Sequence, residues 1–237
     1  MQIDEIFEAD KRIKKKKRTT PLLNSPFLDE IADRQIFIKA ECLQHTGSFK
    51  FRGAYSAISS IPIEKRKKGV IAYSSGNHAQ GVAYAAKIHK IPATIIMPED
   101  APEIKINNTK DLGAEVILYD RLSENREKIG QKISEERLLS LIPPYDHNDV
   151  IAGQGTIGLE IASQAEQIGI GKADVLVCCG GGGLTSGIAV ALSTLMPDFV
   201  TRPVEPEGFD DVVRSLKTGE RQTNKKISGG LCDAIIT

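Results

Sequence analysis

Apolar positions fall into short runs separated by longer stretches in which they recur every third or fourth residue. The runs at 35–40, 69–74, 93–97, 115–119, 174–179 and 200–204 read as strands. The intervening segments 77–89, 102–112, 123–138, 152–166, 184–195 and 210–218 read as helices, and Gly113 is a stop signal for one of them. Residues 139–142 are short and apolar and end in Pro143-Pro144. At the N-terminus Ile3, Ile6, Phe7 and Ile13 can form the buried stripe of an amphipathic helix. Strands alternating with helices predict parallel sheets with right-handed crossovers. No internal repeat or low-complexity tract interrupts the pattern.

Composition narrows the functional classes. The 237 residues suffice for one large domain or two small ones, and 41% hydrophobic with 26% charged residues is ordinary for a globular protein. Lysine and arginine number 31, as do aspartate and glutamate, so net charge gives no reason to expect a nucleic-acid partner. The exception is Lys11-Arg12-Ile13-Lys14-Lys15-Lys16-Lys17-Arg18, a run able to touch nucleic acid or anionic lipid but read here as the wet face of the N-terminal helix. No run of 18 apolar residues predicts a membrane span, and the acidic, polar start is unlike a secretory signal. Cys42, Cys178, Cys179 and Cys232 form no C-x-x-C pair, so zinc is not expected. Cys178 and Cys179 read as small core residues, and the cysteine usage as cytoplasmic.

Four segments carry candidate chemistry. Lys50 lies between Phe49 and Phe51, after Thr46, Gly47 and Ser48. A lysine among apolar groups loses hydration, which favours its neutral, nucleophilic form, able to form a Schiff base with an aldehyde cofactor. The alternative is a snorkelling lysine at a strand end. Gly180-Gly181-Gly182-Gly183-Leu184 follows a strand and opens a helix, so its N–H groups and the helix N-terminus can cradle a phosphate. Ser74-Ser75-Gly76-Asn77-His78 repeats that strand-to-helix geometry with hydroxyls suited to a carboxylate, or with Ser75 or Asn77 as a plain cap. Glu205, Glu207, Asp210 and Asp211 around Gly208 can hold a hard cation or cap a helix.

Taken in order, Thr46 to Ala54, Ser74 to Gly81 and Gly180 to Leu184 resemble the serine/threonine dehydratase family, and 150–156 (VIAGQGT) fits too. The resemblance covers essentially the whole chain. It implies an α/β, two-domain, tryptophan-synthase β-like fold (fold type II) of parallel sheets flanked by helices. A small α/β domain over 69–144 would be inserted in a larger cofactor domain built from 1–68 and 145–237. It implies pyridoxal phosphate as cofactor, with Lys50 its covalent anchor and acid/base, Phe49 against the ring and Asn77 on the ring oxygen. Gly180, Gly181, Gly182, Gly183 and Leu184 would hold the phosphate. Ser74, Ser75, Asn77 and His78 would line the substrate-carboxylate pocket, with Ser75 a second acid/base. Glu205, Asp211 and the Phe209 carbonyl would take a divalent cation such as Mg2+.

The implied enzyme is an ammonia-lyase of the threonine type acting on L-threonine or L-serine. A serine racemase, a 3-hydroxyaspartate dehydratase and a non-catalytic fragment are the alternatives. The expected partners are a small hydroxy amino acid and a second copy in a homodimer, with neither nucleic acid nor membrane. The family continues beyond a segment like 233–236, so the chain reads as C-terminally truncated.

Overall fold

The computed structural model describes residues 1–224. In chain order its elements are α1 (Ile3–Ile13), β1 (Leu22–Asn24), α2 (Pro26–Ala32), β2 (Phe37–Lys39), α3 (Lys50–Ser60), α4 (Ile63–Arg66), β3 (Val70–Tyr73), α5 (Asn77–His89), β4 (Ala93–Pro98), α6 (Glu103–Asp111), β5 (Glu115–Tyr119), α7 (Arg126–Arg137), β6 (Ser140–Leu141), α8 (Asn148–Gln167), β7 (Ala173–Cys178), α9 (Gly183–Leu195), β8 (Phe199–Val204) and α10 (Asp211–Thr218).

The predicted parallel pairing is present. Strands run in the order β5-β4-β3-β6, all parallel, and β7 pairs parallel with β8. β1 and β2 form an antiparallel pair. β4 is buried along its whole length, as a central parallel strand must be when helices cover both faces. On one face Val70, Ala72, Ala93, Ile95 and Met97 join Phe51, Ile58 and Val82 from α3 and α5. On the other, Ile71, Ile96 and Tyr119 meet Ile129 and Ile133 of α7. Each large aliphatic group so buried contributes roughly 1.5–3 kcal/mol. In β7 and β8, Val177 and Phe199 face Ile188 and Leu192 of α9, whereas Leu176 on the opposite face is 70% exposed.

α3 lies between α5 and α8. Glycine permits the closest approach: a Cβ on Gly81 would stand 3.1 Å from the Lys50 carbonyl carbon. The other side of α3 is fixed by charge. Arg52, fully buried, donates to Glu41 at 2.7 and 2.8 Å and to Glu160 at 2.7 and 3.0 Å. Lys39 bonds the same Glu160 at 2.6 Å, and Lys17 pairs with Glu160 and with Asp10. Burial alone would raise the Glu160 carboxyl, but Arg52, Lys17 and Lys39 outweigh it and hold the group at about 2.

Several expectations change. The alternative of a lysine at a strand end does not hold, since Lys50 opens α3. Lys17 is buried in an ion cluster, so the basic run is not uniformly a solvated face. Cys178 is exposed, because side chains alternate along β7 and only Cys179 turns inward. Among the described residues no helix is long and apolar enough to cross a membrane. Cys232 and residues 233–237 lie outside the described residues.

Candidate active site

The ends of β7 and β8, the starts of α3 and α9 and one residue of α8 converge on a cavity of about 550 Å³. Phe49 and Lys50 line it from the start of α3, Cys178 to Gly183 from the end of β7 and the turn into α9, and Pro144, Tyr145 and Gln154 from the start of α8 and the segment before it. The sequence-predicted Phe49, Lys50, Gly180, Gly181, Gly182, Gly183 and Leu184 are therefore brought to one place.

Lys50 retains a little solvent contact through the cavity, but packed protein surrounds its stem. Burial is the dominant influence and pushes its amine down to about 8, with Cys178 opposing slightly. Nζ donates to the Pro144 carbonyl at 2.6 Å and stands 5.4 Å from the Phe49 ring centre. The site thus holds an amine that is half neutral near pH 8, against a solvated lysine near 10.4.

The glycine turn shows what it is shaped for. Gly182 has φ +76°, a left-handed conformation that disfavours any Cβ, and it caps α9. The Tyr145 ring covers Gly181 so closely that a Cβ there would lie 2.2 Å from its Cγ. Gln154 accepts from the Gly53 N–H at 3.2 Å, yet its buried Nε2 has no partner. A glycine turn at the cavity wall, a helix N-terminus, an orphaned amide donor and a low-pKa amine fit a phosphate-bearing aldehyde.

Ser74, Ser75, Asn77 and His78 are not among the residues that line this cavity, and the second loop is linked to it through His78, which feels the Lys50 charge. β3 runs through Ser74, Ser75 and Gly76 into α5, and the Gly76 N–H donates to Ser74 Oγ at 3.1 Å. His78 is buried, and its Nε2 donates to the Ile142 carbonyl at 2.9 Å. Burial, then the nearby Lys50 charge, pushes the imidazole down to about 3. Its buried Nδ1 has no hydrogen-bond partner and so presents a lone pair. Contact between this residue and a carboxylate would therefore fall to its main-chain N–H.

The expected cation ligands are differently employed. Both Glu205 oxygens accept main-chain N–H groups, from Val212 and Val213 at 2.9 Å each, capping α10. Asp211 is buried and accepts from the Asn224 amide. Among the described residues no three His, Cys, Asp or Glu side chains gather as a metal site. Helix capping thus accounts for Glu205, whereas Asp211 Oδ2 is buried with no hydrogen-bond partner among the described residues, and nothing in the structure supports a divalent cation here.

Sequence reasoning assigned no place in the site to Tyr145, Cys178 or Gln154. VIAGQGT was a usable signal for Gln154 alone.

The arrangement is that of a carbonyl-cofactor enzyme, and comparison with known proteins specifies it. A family model described as pyridoxal-phosphate dependent enzyme matches residues 13–236, and the chain belongs to that family. It is 47% identical over 216 residues to an L-threo-3-hydroxyaspartate ammonia-lyase of Pseudomonas sp, covering 91% of this chain and 66% of that protein. It is 46% identical over 217 residues to a serine racemase of Schizosaccharomyces pombe, again covering 91% of this chain and 66% of the relative. The crystal structure of a T.th. threonine deaminase superposes with a TM-score of 0.89 at 42% identity, covering 95% of this chain and 72% of that one. The fold is that of fold type II pyridoxal-phosphate enzymes, and the chain spans about two thirds of the length of these curated relatives.

Proposed function

We propose that this site, loaded with pyridoxal phosphate, eliminates water from a small hydroxy amino acid, and that the released enamine tautomerises to an imine which a water molecule hydrolyses to a 2-oxo acid and ammonia, turning L-threonine into 2-oxobutanoate and L-serine into pyruvate. The observation that carries the reading is the Lys50 amine, lowered to about 8, in one cavity with the tetraglycine turn. The bound cofactor would supply an electron sink for the pair released at Cα. Gly180, Gly181, Gly182, Gly183 and Leu184 hold its phosphate, Phe49 packs on its ring, and Asn77 bonds the ring oxygen. Lys50 anchors it covalently and, once displaced, takes the Cα proton on neutral Nζ. The β-hydroxyl leaves with a proton as water. Ser74, Ser75 and the main chain at Asn77 and His78 orient the carboxylate. Ser75 holds a proton on the opposite face.

In this reading 69–144 is a smaller domain inserted in a larger one, the active molecule is a cytoplasmic homodimer, and neither nucleic acid nor membrane is a partner. Racemisation of serine and dehydration of 3-hydroxyaspartate use the same residues, and the similarity to proteins bearing those names favours them as the second reading. Incubation with L-threonine, L-serine and L-threo-3-hydroxyaspartate, followed by assay of 2-oxo acid, ammonia and D-serine, tests the proposal. Release of 2-oxo acid and ammonia in equal amounts supports it. D-serine without 2-oxo acid would replace it with the racemase reading, and no turnover of any substrate would contradict it.

A further inference from the structure

Besides Lys50, a second cation near this site has no counter-ion among the described residues. Lys105 sits in the first turn of α6, which is anchored by buried Ile106 and Thr109. Its side chain lies across Gly76, so that a Cβ on that glycine would stand 2.6 Å from Lys105 Cδ and 2.9 Å from Nζ. Lys105 is half-buried, and among the described residues its ammonium has neither hydrogen bond nor ion pair. Two other enclosed lysines are paired with carboxylates, Lys17 with Asp10 and Glu160 and Lys39 with Glu160, and Lys50 at least donates to the Pro144 carbonyl. Laying a four-carbon stem along a backbone costs rotamer freedom and hydration. The protein itself returns no charge for it here.

A second unanswered group stands two residues beyond Gly76. His78 Nδ1, in a side chain 2% exposed, is an acceptor with no donor. Lys105 and His78 both belong to this strand-to-helix turn, the one lying across Gly76 and the other opening α5, and each leaves a polar group unanswered among the described residues.

We propose that Lys105 is a substrate-binding residue, its ammonium pairing with a carboxylate of the amino acid held at the 74–77 turn. The inference rests on the elimination site described above and adds to it a charged contact from a separate helix. The main-chain amides of the turn supply direction, and Lys105 supplies the opposite charge. The carboxylate is the α-carboxylate common to all substrates or the side-chain carboxylate of hydroxyaspartate, and two substrates separate these sources.

The test uses the cofactor-loaded protein with Lys105→Met, which keeps the apolar stem, and Lys105→Arg, which keeps the charge. Borohydride trapping of cofactor at Lys50 and the melting temperature report an intact site in each variant. A charged hydrogen bond of ordinary strength predicts that Lys105→Met raises KM for L-threo-3-hydroxyaspartate, which carries both carboxylates, about ten- to hundredfold with little change in kcat, and that Lys105→Arg recovers most of the loss. Calorimetric affinity for L-threo-3-hydroxyaspartate should fall in Lys105→Met while that for L-serinamide, which has no carboxylate, stays the same. Equal loss with L-serine and L-threo-3-hydroxyaspartate assigns the α-carboxylate; loss confined to the latter assigns the side-chain carboxylate. An unchanged KM for both substrates, or equal weakening of L-serinamide, would overturn the role of Lys105 alone. Absence of trapped cofactor in the parent protein would overturn the elimination site and this inference together.

Discussion

At Lys50 two effects compete, and burial wins. A charged amine in this cavity has one strong acceptor, the Pro144 carbonyl, and no carboxylate partner among its named contacts. Its pKa falls to about 8, so between about 8 and the unfolded value of 10.5 the unfolded chain binds more protons than the native one. The penalty for burying this lysine is complete below pH 8 and disappears as pH rises through that window. Cofactor capture by the neutral amine should therefore accelerate with an apparent pKa near 8, measurable by stopped-flow absorbance. A rate flat from pH 6.5 to 9 would contradict the lowered pKa. Gly182 gives a second residue-scale prediction. Gly182→Ala places a Cβ at φ +76° and should cost about 1–2 kcal/mol and weaken cofactor retention. Lys50 and the four glycines were legible because their neighbours in sequence form their environment. Tyr145 and Lys105 were not, because the turns they meet lie elsewhere in the chain, and Cys178 was not, because of two adjacent cysteines the sequence does not say which one faces the core.

The elements divide the same way. Strands and helices from β3 to α10 were legible within a few residues, because β3 to β5 are continuous apolar runs and most of the helices between carry clear stops. Asn77–His89 and Glu115–Tyr119 agree residue for residue. β1, with three residues, and α2, with no buried residue, lack a periodic signal long enough to read. α3 begins with Lys50 and Arg52, which disguise its buried face. Arg52 is buried only because Glu41 and Glu160 come to it from other elements. Glu160→Gln would leave Arg52, Lys17 and Lys39 enclosed around a neutral group. It should cost about 3–5 kcal/mol, read as a drop of roughly 10 °C in melting temperature. Glu160, held at about 2, contributes stability that is complete above its unfolded value of 4.5 and lost as pH falls toward 2. Acid titration of the parent should show that loss and Glu160→Gln should not.

For the molecule as a whole, the parallel sheets place both glycine-bearing turns at strand C-terminal ends, where open α/β folds bind ligands. Family membership, the superposed fold and the cavity agree on a pyridoxal-phosphate site. The metal expectation gains no support, because acids before a helix serve its orphaned N–H groups as readily as a cation, as Glu205 does here. One face of β7 leaves Leu176 exposed among the described residues, a feature that strand length alone could not reveal. The central claim is that position 50 holds the cofactor. Incubating the protein with pyridoxal phosphate, reducing with borohydride and sequencing peptides by mass spectrometry tests it most directly. The account predicts one pyridoxyl group, on Lys50, absent from Lys50→Ala; a pyridoxyl group on another lysine, or equal labelling of Lys50→Ala, would contradict it.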